Sequence, residues 1–254
     1  MNTFYAFFKK EVCELTRTHK LTVLGLVFLL FGIMNPLAAK FMPEILVSAL
    51  PSGMSITLPE PSAMDSWGQF FKNISQMGMI VVVILFGGIM SNELSRGTLT
   101  HLLTKGLSRK TVILSKFTAA GLAWTAAYAL CLATTFAYTV YFWPNDKVQS
   151  LLTAVLGLWV FGLLLLSVLL LGGVIFKNNY GSLLFAGAFV AVLYLLNILR
   201  SLQPFNPILL TGGSMELLSG QRAAMDFTLP LLVSAGLILL ILWQSILVFN
   251  KRAL

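Results

Sequence analysis

The chain has 254 residues, 57% of them hydrophobic and 10% charged, with a formal net charge of +8. Soluble domains carry about 25% charged residues, and a water-soluble chain this apolar would expose patches large enough to aggregate. The basic excess does not indicate nucleic acid, because no basic helix is interleaved with aromatic residues and no nucleic-acid-binding module is recognisable.

The first segment is an arm in which Phe4, Phe7, Phe8, Val12 and Leu15 recur at helical spacing. Lys9, Lys10, Glu14 and Arg17 lie on the other faces. This pattern predicts an amphipathic helix in the membrane interface, with its apolar stripe in lipid. It is either an elbow helix packed beside a partner subunit or a plain juxtamembrane anchor.

Six apolar runs follow, at about 21–39, 73–90, 111–142, 151–176, 181–199 and 227–249. A helix needs about 20 residues to cross ~30 Å of hydrocarbon. The expected fold is therefore an all-α membrane protein with one six-helix transmembrane domain over residues 1–254. Asn35-Pro36 is expected to end or kink the first helix. The first run also resembles a secretory signal, but Leu37-Ala38-Ala39 is a poor cleavage site and five runs follow, so retention is expected.

Charge sets the orientation. With the N-terminus inside, the inner segments hold 12 basic and 3 acidic residues, whereas the outer segments hold 5 and 6. The positive-inside rule then places both ends in the cytoplasm. Trp67 and Tyr141-Phe142-Trp143 are expected at the outer boundary and Tyr180 at the inner one, with Trp124, Trp159 and Trp243 packed deeper. Cys13 and Cys131 fall in the arm and in a span, so no disulfide is expected.

Two outer loops carry structure signals. Residues 40–67 contain Pro43, Pro51, Pro59 and Pro61 between apolar pieces, and are expected to form a lid or a short interfacial helix. Residues 200–226 contain Pro204, Asn206-Pro207 and Gly212-Gly213, a pattern that a re-entrant pair of short helices would satisfy.

The inner loop at 91–109 is the most informative stretch. Ser95 or Thr98 can cap a short helix whose apolar face is Leu99, Leu102 and Leu103, and Gly106 would end it. Lying parallel to the membrane, such a helix can transmit force from a soluble partner. It can equally be a surface helix with no partner.

Other chemistry is missing from the pattern. His19 and His101 have no metal-ligand spacing, no catalytic Ser/His/Asp set is visible, and no G-x-x-x-x-G-K-[ST] loop exists to hold ATP. The spans hold almost no ionisable groups, which argues against ion-coupled transport. Lys116, near the inner end of the third run, is expected to snorkel. Gln76, Met77, Met79 and Asn197 are candidates to line a path for a hydrophobic or amphipathic cargo.

The inner loop resembles the first cytoplasmic loop of type-2 ABC exporter permeases. The resemblance rests on Glu93, Gly97-Thr98, Leu102-Leu103, Ser108-Arg109 and Lys116, with Gly106-Leu107 where such permeases often have proline. Lys9-Lys10-Glu11 and Arg17 before the first run and Asn206-Pro207 before the last are similar too. The resemblance implies a pair of permeases on a cytoplasmic ABC ATPase dimer, with ATP and Mg held by the ATPase and no cofactor on this chain. It implies ATPase coupling through Glu93, Arg96, Gly97, Thr98, Leu99, Leu102, Leu103, Ser108 and Arg109. A second ATPase contact would come from Lys177, Asn178, Asn179 and Tyr180. The implied setting is a plasma membrane, bacterial by resemblance, with cargo such as an amphipathic peptide, a lipidic molecule or a drug. The competing reading is a non-transporting scaffold or sensor that recruits cytoplasmic partners through the same loop.

Overall fold

A computed structural model describes residues 3–48, 60–104, 106–146, 148–176 and 178–251. All regular structure among them is helical, and six helices are long and apolar enough to cross a membrane. The chain is an all-α membrane protein.

The arm is a helix, Thr3–Arg17. Its stripe does not simply face lipid: Phe7 and Leu15 are buried against protein. The helix lies on the base of the third span, where Ser115 Oγ donates to the Phe4 carbonyl at 3.5 Å.

The first span is a helix from Lys20 to Ser48 that continues through Pro36 and Pro43. It does not end at Asn35-Pro36, and the reason is a partner far away in sequence. A proline lacks the N–H that would bond the carbonyl four residues earlier. Here that carbonyl, on Gly32, accepts instead from Thr135 Oγ1 of the third span at 3.2 Å. Asn35 Nδ2 donates to Thr135 Oγ1 at 3.4 Å, and Asn73 Nδ2 donates to Asn35 Oδ1 at 2.8 Å. A buried polar chain thus ties the first three spans together.

The second span covers Ala63–Ser95 and starts before its apolar run. Ser62 caps it, with its backbone N–H donating to Asp65 Oδ2 at 2.9 Å, and Asp146 Oδ2 accepts from the Ala63 N–H at 3.1 Å. The first turns bury Ala63, Ser66, Trp67 and Phe70 on one face, so mean hydropathy understates them. Ile74–Gly78 is a π-helical turn.

The third span is Arg109–Phe142, the fourth Leu151–Phe176, the fifth Asn179–Leu196 and the sixth Thr228–Lys251. The fourth is central, with 78% of its most apolar window buried, whereas the fifth and sixth bury only 17% and 22%. Trp67 is buried and meets Phe70 edge-on at 5.5 Å. Trp243 departs from the expectation of a packed residue, at 61% exposed. Trp124 behaves as a core residue: it is buried and donates from Nε1 to the Trp159 carbonyl at 3.1 Å.

Between the fifth and sixth spans the chain folds back on the fourth through short helices that include Leu209–Gly212 and Ser214–Leu218. Leu210, Leu217 and Leu218 are buried. Asn206 joins this segment to the end of the fifth span, where its Nδ2 donates to the Leu193 carbonyl at 2.7 Å. Residues 49–59 of the expected outer lid lie outside the described residues.

Candidate functional site

Two features stand out, one at each end of the bundle. At one end, the second span breaks into a helix at Ser91–Ser95, turns at Gly97, and re-forms as a short helix at Thr98–Thr104. Gly97 and Gly106 both have positive φ, +68° and +92°, with open space around each. Their role is conformational, since side chains other than glycine are strained there. Gly106 ends the short helix, with its N–H bonded to the Leu103 carbonyl at 3.0 Å and that of Leu107 to Leu102 at 3.3 Å. Ser108 caps the third span by accepting from the Thr111 N–H at 3.1 Å.

Beneath this loop lies a buried ion cluster. Lys116 is 1% exposed and its Nζ lies 2.9 Å from both carboxylate oxygens of Glu11 on the arm helix. The same ammonium is 2.8 Å from Glu93 Oε2, a charge contact poorly aligned as a hydrogen bond. Lys10 completes the set, bonding Glu93 Oε1, Glu11 at 2.9 Å and Glu14 at 2.6 Å. Burial would lower the Lys10 ammonium's affinity for its proton, but the carboxylates of Glu14, Glu93 and Glu11 outweigh it and hold its pKa well above the ordinary range. The carboxylates of Glu11, Glu14 and Glu93 come within 4.8 Å of one another. The lysines already supply the balancing positive charge. Lys116 does not snorkel to water; the arm and the loop bring carboxylates to it.

The loop residues therefore divide into two sets. Glu93 and Leu99 are turned inward, Leu99 into a cluster with Phe7, Met90, Val112 and Phe249. Arg109 is also committed: its guanidinium donates to the carbonyls of Phe249 and of Asn250, the latter at 2.7 Å, and lies over the Phe249 ring. It thereby caps the end of the sixth span, where a cation favours the helix dipole. Leu102, Leu103 and Gly97 are half-buried, while Arg96, Thr98 and Ser108 are exposed. On the arm, Lys9 and Arg17 are exposed, Phe7 is buried, and Phe4 and Phe8 are stacked with centroids 6.3 Å apart.

The short turn before the fifth span is divided in the same way. Asn178 Oδ1 accepts from the Gly181 N–H at 2.5 Å, and Asn179 Oδ1 accepts from Ser91 Oγ at 2.5 Å. Both asparagines are exposed but hydrogen-bonded within the chain, and Tyr180 beside them is 80% exposed. Lys177 lies outside the described residues.

Toward the opposite end, a groove of about 540 Å³ opens between the second, fourth and fifth spans and the folded-back segment. The π-helical turn forms part of its wall, a geometry common at functional positions. Gln76 and Met79 line it; Met77 and Asn197 do not. Lys72, Phe71, Tyr194 and Met215 also line it, and sequence reading missed them because the folded-back segment creates that wall.

Comparison with known proteins identifies this arrangement. Residues 5–254 match the family of ABC-2 family transporter proteins. The chain belongs to the ABC-2 transporter family. An uncharacterized transmembrane protein of Bacillus subtilis (strain 168), YxlG, is similar, with 27% identity over 119 residues that cover 46% of each chain. The match thus spans just under half the length of this curated relative. As a member of that family the chain is a multi-pass membrane transporter protein.

Proposed function

We propose that this ABC-2 permease is the membrane subunit of an ATP-driven exporter for a hydrophobic or amphipathic cargo. A cytoplasmic ABC ATPase dimer holds ATP and Mg and docks on Arg96, Thr98 and Ser108, with Tyr180 as a second contact. A second permease copy covers the sparsely buried faces of the second and fifth spans, so the two grooves face one shared path. Both termini lie in the cytoplasm, and the membrane is a bacterial plasma membrane.

The observation that carries this reading is the braced loop. Glu93 is held from inside by Lys10 and Lys116, so the loop, the arm helix and the third span form one rigid unit, while Arg96, Thr98 and Ser108 face outward. A rigid unit with an exposed polar edge suits force transmission from a soluble motor. Glu93 then serves coupling as an internal strut and not as a docking contact.

The test is co-purification with a co-expressed ABC ATPase from the same organism, followed by ATPase turnover in vesicles. Arg96→Glu should separate cargo stimulation from basal hydrolysis. Stable binding without any cargo-stimulated turnover would instead support a recruiting scaffold, and absence of a complex would sink the reading.

A further inference from the structure

The groove has an electrostatic character that its apolar lining hides. Of the residues that form its wall, Lys72 is charged and none is a carboxylate. Lys72 is exposed and has no ion pair or hydrogen bond to its ammonium among the described residues. One turn further along the second span, the exposed Gln76 amide is also without a protein partner among them. By contrast, the hydroxyls of Thr211 and Ser214 are engaged with the carbonyls of Ile208 and Leu210. Lys72 and Gln76 thus offer free donor groups to the groove, as does the Tyr194 hydroxyl among the described residues.

Depth adds a second observation. Lys72 immediately precedes the long uncharged stretch of the second span, so it marks the outer edge of the hydrocarbon. From Lys72 the wall continues inward through Met79, Ile80 and Val83. At 1.5 Å per residue, the eleven steps from Lys72 to Val83 cover roughly 16 Å, about half the hydrocarbon thickness. The groove therefore has a cationic head at interface depth and an apolar tail of about one leaflet. Its volume of about 540 Å³ is in the range of sites for small organic ligands.

We infer that the groove binds an amphiphile with an anionic head and a single hydrocarbon chain, with the head on Lys72 and Gln76 and the chain along Met79, Ile80 and Val83. An ammonium facing a carboxylate or phosphate forms a charge-assisted hydrogen bond, stronger than a neutral one. The adjacent Gln76 amide can donate to a second oxygen of the same head. A cationic amphiphile would place like charges together, and a zwitterion would gain less. The inference deepens the cargo half of the proposed function and rests on that reading for the step from binding to transport.

The test separates binding from transport. The purified chain is placed in nanodiscs of zwitterionic lipid, and binding of dodecanoate, dodecylphosphocholine and dodecyltrimethylammonium is measured by displacement of a fluorescent dodecanoate. The expected order is anionic first, by about tenfold over the zwitterion. Lys72→Glu should lose the anionic preference and bind the cation more tightly, while Lys72→Arg should retain the wild-type order. Equal affinities for the three heads, or an unchanged order in Lys72→Glu, would overturn the inference. The arm with the partner ATPase present reads turnover with the same three amphiphiles. Head-selective binding without stimulated turnover leaves the binding site standing and overturns its use as a cargo site. Stimulated turnover that ignores the head keeps the exporter reading and removes the role of Lys72. If Lys72 instead pairs with a carboxylate of a second copy, Lys72→Ala will weaken self-association and leave amphiphile affinity unchanged, which also overturns the inference.

Discussion

The Lys116 ammonium lies 2.9 Å from both carboxylate oxygens of Glu11, although 105 residues separate them. The contact joins the third span to the arm helix, and Glu93 extends it to the loop between the second and third spans. Removing one partner from a buried ion pair leaves the other charge without compensation, at a cost of about 3–5 kcal/mol. Lys116→Met should therefore lower the melting temperature sharply and reduce the monodisperse yield in detergent. Adding Glu11→Gln and Glu93→Gln should recover part of the loss. No recovery in the triple variant would mean that packing of the lysine stem, not charge balance, sets stability.

Lys10 supports a pH prediction. Its folded-state value is raised, so its pairing contributes stability that is fully present below the ordinary lysine value and is lost only as pH rises through the raised one. Arm-helix docking should accordingly lose nothing through Lys10 between about pH 6 and pH 9. An amine-reactive reagent at about pH 9 should modify the exposed Lys9 well before Lys10, as read by peptide mass spectrometry. Equal rates would show that Lys10 is not held in the cluster.

Gly97 permits a clean separation of loop shape from loop contacts. Nothing lies within 4 Å of where its Cβ would be, so a substitution meets only backbone strain. Gly97→Val should cost about 1–2 kcal/mol locally and uncouple ATPase turnover from cargo, with insertion and expression intact. Gly97→Asn, which tolerates positive φ better, should retain most coupling.

The two cysteines report on topology without any mutation. Cys13 is exposed on the arm helix, and Cys131 is buried within the third span. A membrane-impermeant maleimide should label Cys13 in inside-out vesicles and not in intact cells, and Cys131 in neither. Labelling of Cys13 in intact cells would reverse the proposed orientation.

Much of this architecture was legible in the sequence because bilayer physics is local. Runs of uncharged apolar residues had to be helices, and Phe4, Phe7 and Phe8 had to share a face. Gly106 was readable as a helix end for the same reason. The contacts that matter most were not local. Glu93 looked like a docking residue because nothing near it in the chain reveals Lys10 and Lys116 beneath it. Pro36 looked like the end of the first helix or a kink in it because the hydroxyl that meets the Gly32 carbonyl sits on Thr135. The second span read as starting near Asn73 because Trp67 and Phe70 bury one face of an otherwise polar segment. Lys72 looked like a loop charge for that same reason, and its groove exists only once residues 208–215 fold back.

The Gly32–Thr135 contact has a consequence for motion. A side chain at Gly32 would place its Cβ 1.8 Å from Thr134 Oγ1 and 3.0 Å from the Cys131 carbonyl, so the first and third spans touch backbone to side chain with no slack. Such an interlock cannot slide by a fraction of a turn without breaking hydrogen bonds that no solvent replaces at that depth. These two helices therefore move as one body with the arm and loop braced on the third span. In the proposed transport cycle the remaining spans shift relative to that body, and the second span's π-helical turn, which borders the open groove, is where the bending would be accommodated.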